Sequence, residues 1–443
     1  MKTIGIDIGT TSLCAALYDC DRKEIEDSRS VSNPFLPGSF RQDPDRIADS
    51  AIEMLGQLLE ECGEVSGIGI SSQMHGILYV DETGRAVSDF YTWKDTCGEE
   101  RFRGKSCADY LSESTGYPMY CGYGTVTHFA LGARREIPRE GKYFVGIGDY
   151  LAMRLCRAAV PAADATMAAS FGGYDLCRQA FDLDRLEKAG VLTSFYPRIL
   201  KKNDRAQQRI AGRYRGIPVF WSVGDNQASF FGALGRSEDA VCVNVGTGSQ
   251  VSLFDTRYIS CTAGEVRPFV GEGCLYVQAS LNGGKVYERL AFFLEEICAA
   301  LPQGCLCGKK VDGYDLAQRL AQQKEVTDLT VCPSLYGSRG RGKKFGAIEN
   351  ITEKNFHPAD LVRGYVAGMA AELCGMYGEF PAQLRSGRKR IIASGNGMRK
   401  NAPLRQEIEK QFGMPVHLSS FTEEAAAGAA QLAGEWSLLG GNL

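Results

Sequence analysis

No run of apolar residues in the 443-residue sequence approaches the ~20 needed to cross a bilayer. The opening segment, Met1 to Asp19, carries Asp7 inside its most apolar part, which sets it apart from a secretory signal. An excess of basic charge is missing too: 50 Lys and Arg stand against 53 Asp and Glu, for a net charge of −3. That argues against a nucleic-acid partner gripped by clustered cations, and no membrane partner is expected. Histidine is scarce, with only His75, His128, His357 and His417, far apart along the chain. The sixteen cysteines are scattered, and only Cys305 and Cys307 sit close together. A C-x-C pair without a second pair or a neighbouring histidine completes no zinc site. The cysteines therefore read as reduced, mostly buried residues of a cytoplasmic protein. Length gives a prior of about three domains, or two large ones.

Glycine is what the chain has in plenty: 52 residues, about 12% against an average near 7%. They follow no collagen period and form no low-complexity tract, so they serve particular backbone positions. Three β-type runs open the chain, Thr3–Ile8, Leu13–Asp19 and Glu24–Val31, joined by connections of four residues. Links this short join only antiparallel neighbours. They exclude the P-loop and the dinucleotide fingerprint, both of which need a helix after the glycine turn. Asp43 and Pro44 then form a helix start, with an apolar face of Ile47, Ala51, Met54, Leu55, Leu58 and Leu59 ending near Cys62. Strands are expected at Gly67–Ser71, Ile77–Asp81 and Ser88–Trp93.

The opening pattern recurs. KTIGIDIGTTSLCAALYD (Lys2–Asp19) is echoed by AVCVNVGTGSQVSLFD (Ala240–Asp255): strand, Gly-Thr-x-Ser turn, strand, closing Asp. Asp7 and Asn244 hold matching places two residues before the turn glycine. Similarity at a separation of ~240 residues indicates two domains of related fold rather than a solenoid, with a boundary near Leu234. A Gly-Thr-x-Ser tip offers successive backbone N–H groups and small hydroxyls, a concavity suited to phosphate. Either copy alone is equally an ordinary tight hairpin; two copies, one with a carboxylate ahead of it, favour a nucleotide polyphosphate. Asp7 is placed to hold magnesium through water.

Four further segments bear on chemistry. Gln73-Met74-His75-Gly76 puts polar side chains between two strands, where they could serve a polyhydroxylated ligand or simply end a strand. Tyr91-Thr92-Trp93-Lys94-Asp95 pairs an aromatic face with a carboxylate, as a sugar site or as a core Trp with a capping Asp. Gly224-Asp225-Asn226-Gln227 closes the strand Ile217–Phe220, so Asp225 is either a general base at a strand end or a helix N-cap. Ile391–Ala393 runs into Ser394-Gly395-Asn396-Gly397 and a helix after Pro403, fit for adenine and ribose or a routine connection.

Taken in order over nearly the whole chain, these segments resemble the FGGY carbohydrate kinases. That resemblance implies an α/β fold of two ribonuclease-H-like domains of the actin and hexokinase type, each with a mixed sheet, and an interdomain active-site cleft. Residues 1–234 would form the N-terminal domain with the sugar and first phosphate loop. Residues 235–443 would form the C-terminal domain with the second phosphate loop and adenosine site. The resemblance implies ATP and Mg²⁺ as cofactors, a small ketose as substrate, and leaves a homodimer open. It assigns Asp225 as the base; Asp7 to the metal; and Gly9, Thr10, Thr11, Ser12, Gly246, Thr247 and Gly248 to the phosphates. Gly395, Gly397 and Asn401 fall to adenosine, and Gln73, Met74, His75, Trp93, Asp95 and Asn226 to the sugar. The stretches GDNQAS, SLNGG, AASFGGY and TWKD are most similar to family members acting on sedoheptulose, whereas the Gln-Met-His loop is shared with xylulose kinases. Cys97 stands where many members carry Arg, the adenosine turn lacks a run of three glycines, and the family's proline segment is only loosely echoed at Pro333–Gly340. A ribulose- or xylulose-type kinase is the alternative. A nucleotide switch of the actin or Hsp70 kind is more remote, because it needs no sugar loop.

Overall fold

Two short turns set the start of the fold. Strands β1 (Lys2–Ile8), β2 (Ser12–Asp19) and β3 (Glu24–Ser32) pair antiparallel in succession, as their connections require. Helix α1 (Pro44–Glu61) begins where Asp43 Oδ1 accepts from the N–H groups of Asp45 and Arg46 at 3.0 and 3.1 Å, with Pro44 in the first turn. Its Ile47, Ala51, Met54, Leu55 and Leu58 are buried against the sheet core. Then come β4 (Ile68–Ser72), α2 (Ile147–Cys156), β5 (Ile210–Tyr214), β6 (Ile217–Phe220), β7 (Val223–Gly224) and α3 (Asp225–Leu234). Strand order is β5-β6-β4-β1-β2-β3, with β7 also on β4; β1, β4 and β6 are parallel neighbours in this mixed sheet.

The same plan returns with β8 (Ala240–Val245), β9 (Ser249–Asp255), β10 (Glu265–Pro268), β11 (Cys274–Ser280), α4 (Gly284–Ala299), α5 (Pro358–Glu379), β12 (Arg390–Ser394), α6 (Ala402–Phe412) and β13 (Val416–Leu418). Its sheet runs β10-β11-β9-β8-β12-β13. In both sheets the first strand lies between its hairpin partner and a later parallel strand: β2-β1-β4 and β9-β8-β12. Ile4, Ile6 and Ile8 in one sheet and Val241, Val243 and Val245 in the other are fully buried.

The computed structural model describes all residues but 201–205, 301–310, 338–344 and 441–443. It divides into Met1–Gly235 with Arg267–Gly273 and Glu423–Leu443, and Arg236–Val266 with Cys274–Thr422. The expected division at Leu234 put the last helix, α7 (Glu424–Gly440), in the second half; its contacts lie in the first. Thr3 Oγ1 donates to Ala430 O at 2.8 Å, and Gly5 and Gly69 are the reason the helix can settle there. A Cβ on either would stand 1.9 or 2.0 Å from a carbonyl oxygen of α7, so only glycine admits that approach.

Two expected strands shorten, to Leu78–Val80 and Phe90–Tyr91. The second ends because Thr92 Oγ1 turns to the Phe40 carbonyl, 2.6 Å away. Of the fourteen described cysteines, five are buried, seven half-buried and two exposed, so burial is less general than expected. Cys305 and Cys307 lie outside the described residues, as does the end of the Pro333–Gly340 segment. Among the described residues no helix is long and apolar enough to cross a membrane.

Candidate active site

Asp7 stands one residue from the end of β1, level with Ser71 on the parallel strand β4, and Ser71 Oγ donates to its Oδ1 at 2.5 Å. Burial pushes the Asp7 carboxyl up to about 7; the Ser71 hydroxyl pulls the other way, and the negative charges of Asp225 and Glu423 push it further. Strand β7 pairs Val223 with Ser71 and Gly224 with Ser72, which sets Asp225 at the carboxyl end of the same group of parallel strands. Crevices at such ends are where open α/β sheets bind ligands.

The backbone leading to Asp225 is held from two sides. Asp149 Oδ1 accepts from Ser222 N–H (3.1 Å) and Oγ (2.8 Å), both residues being buried. The Gly224 N–H donates to Thr166 Oγ1 at 3.0 Å. Thr166 is fixed by Asp164 through its N–H and hydroxyl, and Asp164 is paired at 2.6 Å with buried Arg209. Asp225 occupies the first turn of α3, where Gly224 is the cap residue, and its Oδ1 accepts from the Asn226 N–H at 2.7 Å. Burial raises its carboxyl to about 6, while that N–H and Arg267 favour the charged form. A carboxylate poised near neutrality at a strand end suits proton abstraction from a hydroxyl.

His75 has φ 75°, unusual for a residue with a Cβ. Its N–H donates to Ser170 Oγ at 3.0 Å, and its Nδ1 lies 2.7 Å from the Ser170 carbonyl. A carbonyl only accepts, so Nδ1 is the protonated nitrogen. The ring stacks on Tyr123 at 4.5 Å. Gln73 and Met74 turn inward: Gln73 is buried among amide partners, and the Met74 sulfur packs against Gly224. Trp93 is 45% exposed, not a core residue, and its Nε1 donates to Thr10 Oγ1 at 2.9 Å. Asp95 accepts from the Cys97 N–H at 3.0 Å and from Arg41 Nε at 3.3 Å. Thr11 and Ser12 are exposed at the hairpin tip, where the Gly9 N–H closes the turn onto the Ser12 carbonyl at 2.9 Å.

In the second sheet, Asn244 is level with Ser394 of β12 and its Nδ2 donates to Ser394 Oγ at 2.7 Å. The hairpin Gly246–Ser249 rests on the start of α4, where the Gly284 N–H donates to Gly246 O at 2.7 Å. Gly283 approaches Gly248 so closely that a Cβ would lie 2.0 Å from its carbonyl oxygen. Gly395 and Gly397 both pack on Val245, which brings the expected adenosine turn against the second hairpin. Asn401 is buried and caps α6 by accepting from the Leu404 N–H at 3.0 Å.

Sequence reasoning missed Asn33, Gln42, Ser71, Asp149 and Thr166. Only Ser71 carried a signal, standing inside a polar stretch at a strand end.

The family models for FGGY carbohydrate kinases match this architecture, the N-terminal domain over residues 2–232 and the C-terminal domain over 243–435. The chain belongs to the FGGY family of carbohydrate kinases. It is thus a phosphotransferase acting on an alcohol group of a carbohydrate. A sedoheptulokinase of Mus musculus is 29% identical over 97% of this chain and 96% of its own length. One of Homo sapiens is 26% identical over the same shares. The crystal structure of a gluconate kinase from Lactobacillus acidophilus has the same fold, with a TM-score of 0.79 at 21% identity over 99% of this chain and 89% of that one.

Proposed function

We propose that this FGGY kinase transfers the γ-phosphoryl group of ATP to the primary hydroxyl of an open-chain ketose, converting sedoheptulose to sedoheptulose 7-phosphate. For the substrate, the reading rests on likeness to two sedoheptulokinases along almost the whole chain. For the chemistry, it rests on two carboxyl groups, Asp7 and Asp225, brought to the carboxyl end of one sheet by strands β1 and β7, which both pair with β4 at Ser71.

Phosphoryl transfer asks for positioning, charge neutralisation and a carboxylate to take the hydroxyl proton. Asp225 is the base: its carboxylate orients the sugar hydroxyl and accepts its proton. The donor set fits magnesium, which favours one or two carboxylates together with phosphate oxygens and water, and Asp7 would hold it. When bound, the ion neutralises phosphate charge. Thr10, Thr11 and Ser12 of one hairpin, and Gly246, Thr247 and Gly248 of the other, supply N–H and hydroxyl donors to the phosphates. His75, Asp95 and Asn226 bind sugar hydroxyls, and Trp93 offers an aromatic face. Gly395 and Gly397, whose turn packs on Val245 at the end of β8, face adenosine on this reading.

ADP release measured with ATP alone, then with sedoheptulose, xylulose and ribulose, tests the reading. Stimulation by sedoheptulose with the highest kcat/KM is expected. A higher value for xylulose, whose kinases share the Gln-Met-His loop, would replace the substrate and leave the mechanism standing. Stimulation by no sugar would overturn both.

A further inference from the structure

Three successive carbonyls at the tip of the first hairpin are tied down from one side. Gly9 O accepts from Asn33 Nδ2 at 2.9 Å, Thr10 O from Gln42 Nε2 at 2.9 Å, and Thr11 O from the Asn33 backbone N–H at 2.8 Å. In a trans peptide the N–H points opposite to the C=O of the same unit. Anchoring these carbonyls therefore turns the N–H groups of Thr10, Thr11 and Ser12 toward the other side. Consecutive N–H groups aimed one way make an anion cradle.

The ties extend to the sugar-side residues. Gln42 Oε1 accepts from Gln73 Nε2 at 2.9 Å, and Gln42 Nε2 also donates to Asn33 O at 3.0 Å. Thr10 Oγ1 donates to Gln73 Oε1 at 3.3 Å and accepts from Trp93 Nε1. A closed circuit, Thr10–Gln42–Gln73–Thr10, results. Asn33, Gln42 and Gln73 are each at least 97% buried. A satisfied buried amide network of this kind holds one geometry and leaves a costly unpaired group when any member is lost.

We propose that Asn33 and Gln42 are positioning residues that hold the first hairpin in its phosphate-binding form and couple it to Gln73 and Trp93. The inference rests on the assignment of that hairpin to the nucleotide phosphates. It does not depend on which sugar is phosphorylated.

Binding of ATP with Mg²⁺ and of adenosine, which has no phosphate, is measured on wild-type protein and on Gln42→Glu and Gln42→Leu. Neither replacement can donate to Thr10 O. The Kd for ATP should rise ~tenfold or more while that for adenosine stays within about twofold. An ATP Kd within twofold of wild type overturns the inference, and so does a parallel loss of adenosine binding, the mark of a general packing defect. Trp93→Phe keeps the test alive if the buried variants do not fold, since this exposed side chain can be changed without opening the core. At saturating ketose its KM for ATP should rise about threefold from loss of the indole donor to Thr10, and no change overturns the coupling. Wild-type protein that binds ATP but phosphorylates no ketose sinks the proposed function and leaves this inference standing, because the ratio of ATP to adenosine affinity still reports on Gln42.

Discussion

At the tip of β1 the residue two places before the hairpin glycine is Asp7, which accepts from Ser71; at the tip of β8 it is Asn244, which donates to Ser394. Both serines sit on the next parallel strand at the matching register position. The carbonyls of the first hairpin are held by Asn33 and Gln42, whereas Gly246 O and Thr247 O of the second accept from the N–H groups of Gly284 and Lys285. The matching carbonyls are thus held by side chains in the first half, at Gly9 and Thr10, and by main chain in the second, at Gly246 and Thr247. The first copy carries a carboxylate where the second carries an amide. The two halves share the shape of the turn, and on the proposed reading the working carboxylates lie on one side only.

The largest expected effect removes the first half's working charge. Asp225→Ala should lower kcat by roughly 10²–10⁴ while ATP still binds. Turnover near wild type would show that the base lies elsewhere. Next is the swap of the two matching residues. Asp7→Asn, which gives the first copy the second's side chain, should cost ~10–100-fold in activity and raise the magnesium needed for half-maximal rate. Asn244→Asp should instead weaken ATP binding, by repelling phosphate, without changing the magnesium requirement. Equal effects of the two swaps would abolish the asymmetry.

The pH dependence follows from the same charge. The proposed base, Asp225, would work only when ionised, so kcat/KM should fall about tenfold per unit once pH drops well below about 6. Stability runs the other way. The raised folded-state pKa means the unfolded chain ionises first, so this residue's contribution is lost as pH climbs from about 4 toward 6. Asp225→Asn should therefore gain in Tm relative to wild type above pH 6, and equal Tm values at pH 5 and 8 would contradict the burial argument.

The main-chain support is tested by Gly283→Ala, whose methyl would meet the Gly248 carbonyl. The Kd for ATP should rise several-fold, close to the Gln42 variants if the two supports are equivalent. Smallest is Asp43→Ala at the cap of α1, remote in role from either hairpin. It should cost about 1 kcal/mol and a few degrees in Tm, with kcat unchanged, and so show what loss of local stability alone looks like.

Features fixed by neighbours in sequence were legible beforehand: the hairpins, the Asp43 cap with Pro44, and the pairing of Asp7 with Asn244. What depends on distant partners was not. Gln42 reaches Thr10 across 32 residues and Gln73 across 31, and nothing around it in sequence sets it apart from any polar residue ahead of a helix. An amide that can serve a ligand serves another polar group equally well, so the sequence alone does not reveal the bond of Gln73 to Gln42 or the helix cap at Asn401. Glycine was the compositional oddity, and only the tips were assigned from the sequence. Gly5 and Gly69 serve the seat of α7, a use that becomes visible only once the helix is seen to return.

That return has a consequence for how the protein is made. The groove at Gly5 and Gly69 is finished by Ala426 and Ala429 of α7, which for Gly5 lies more than 400 positions downstream. At ribosomal rates roughly 20 to 80 seconds separate the emergence of β1 from that of α7, and over that interval the first sheet carries an uncovered apolar face. A chaperone that shields it, or a second half that folds quickly and delivers α7 promptly, would then govern the yield of active enzyme more than the intrinsic stability of either sheet.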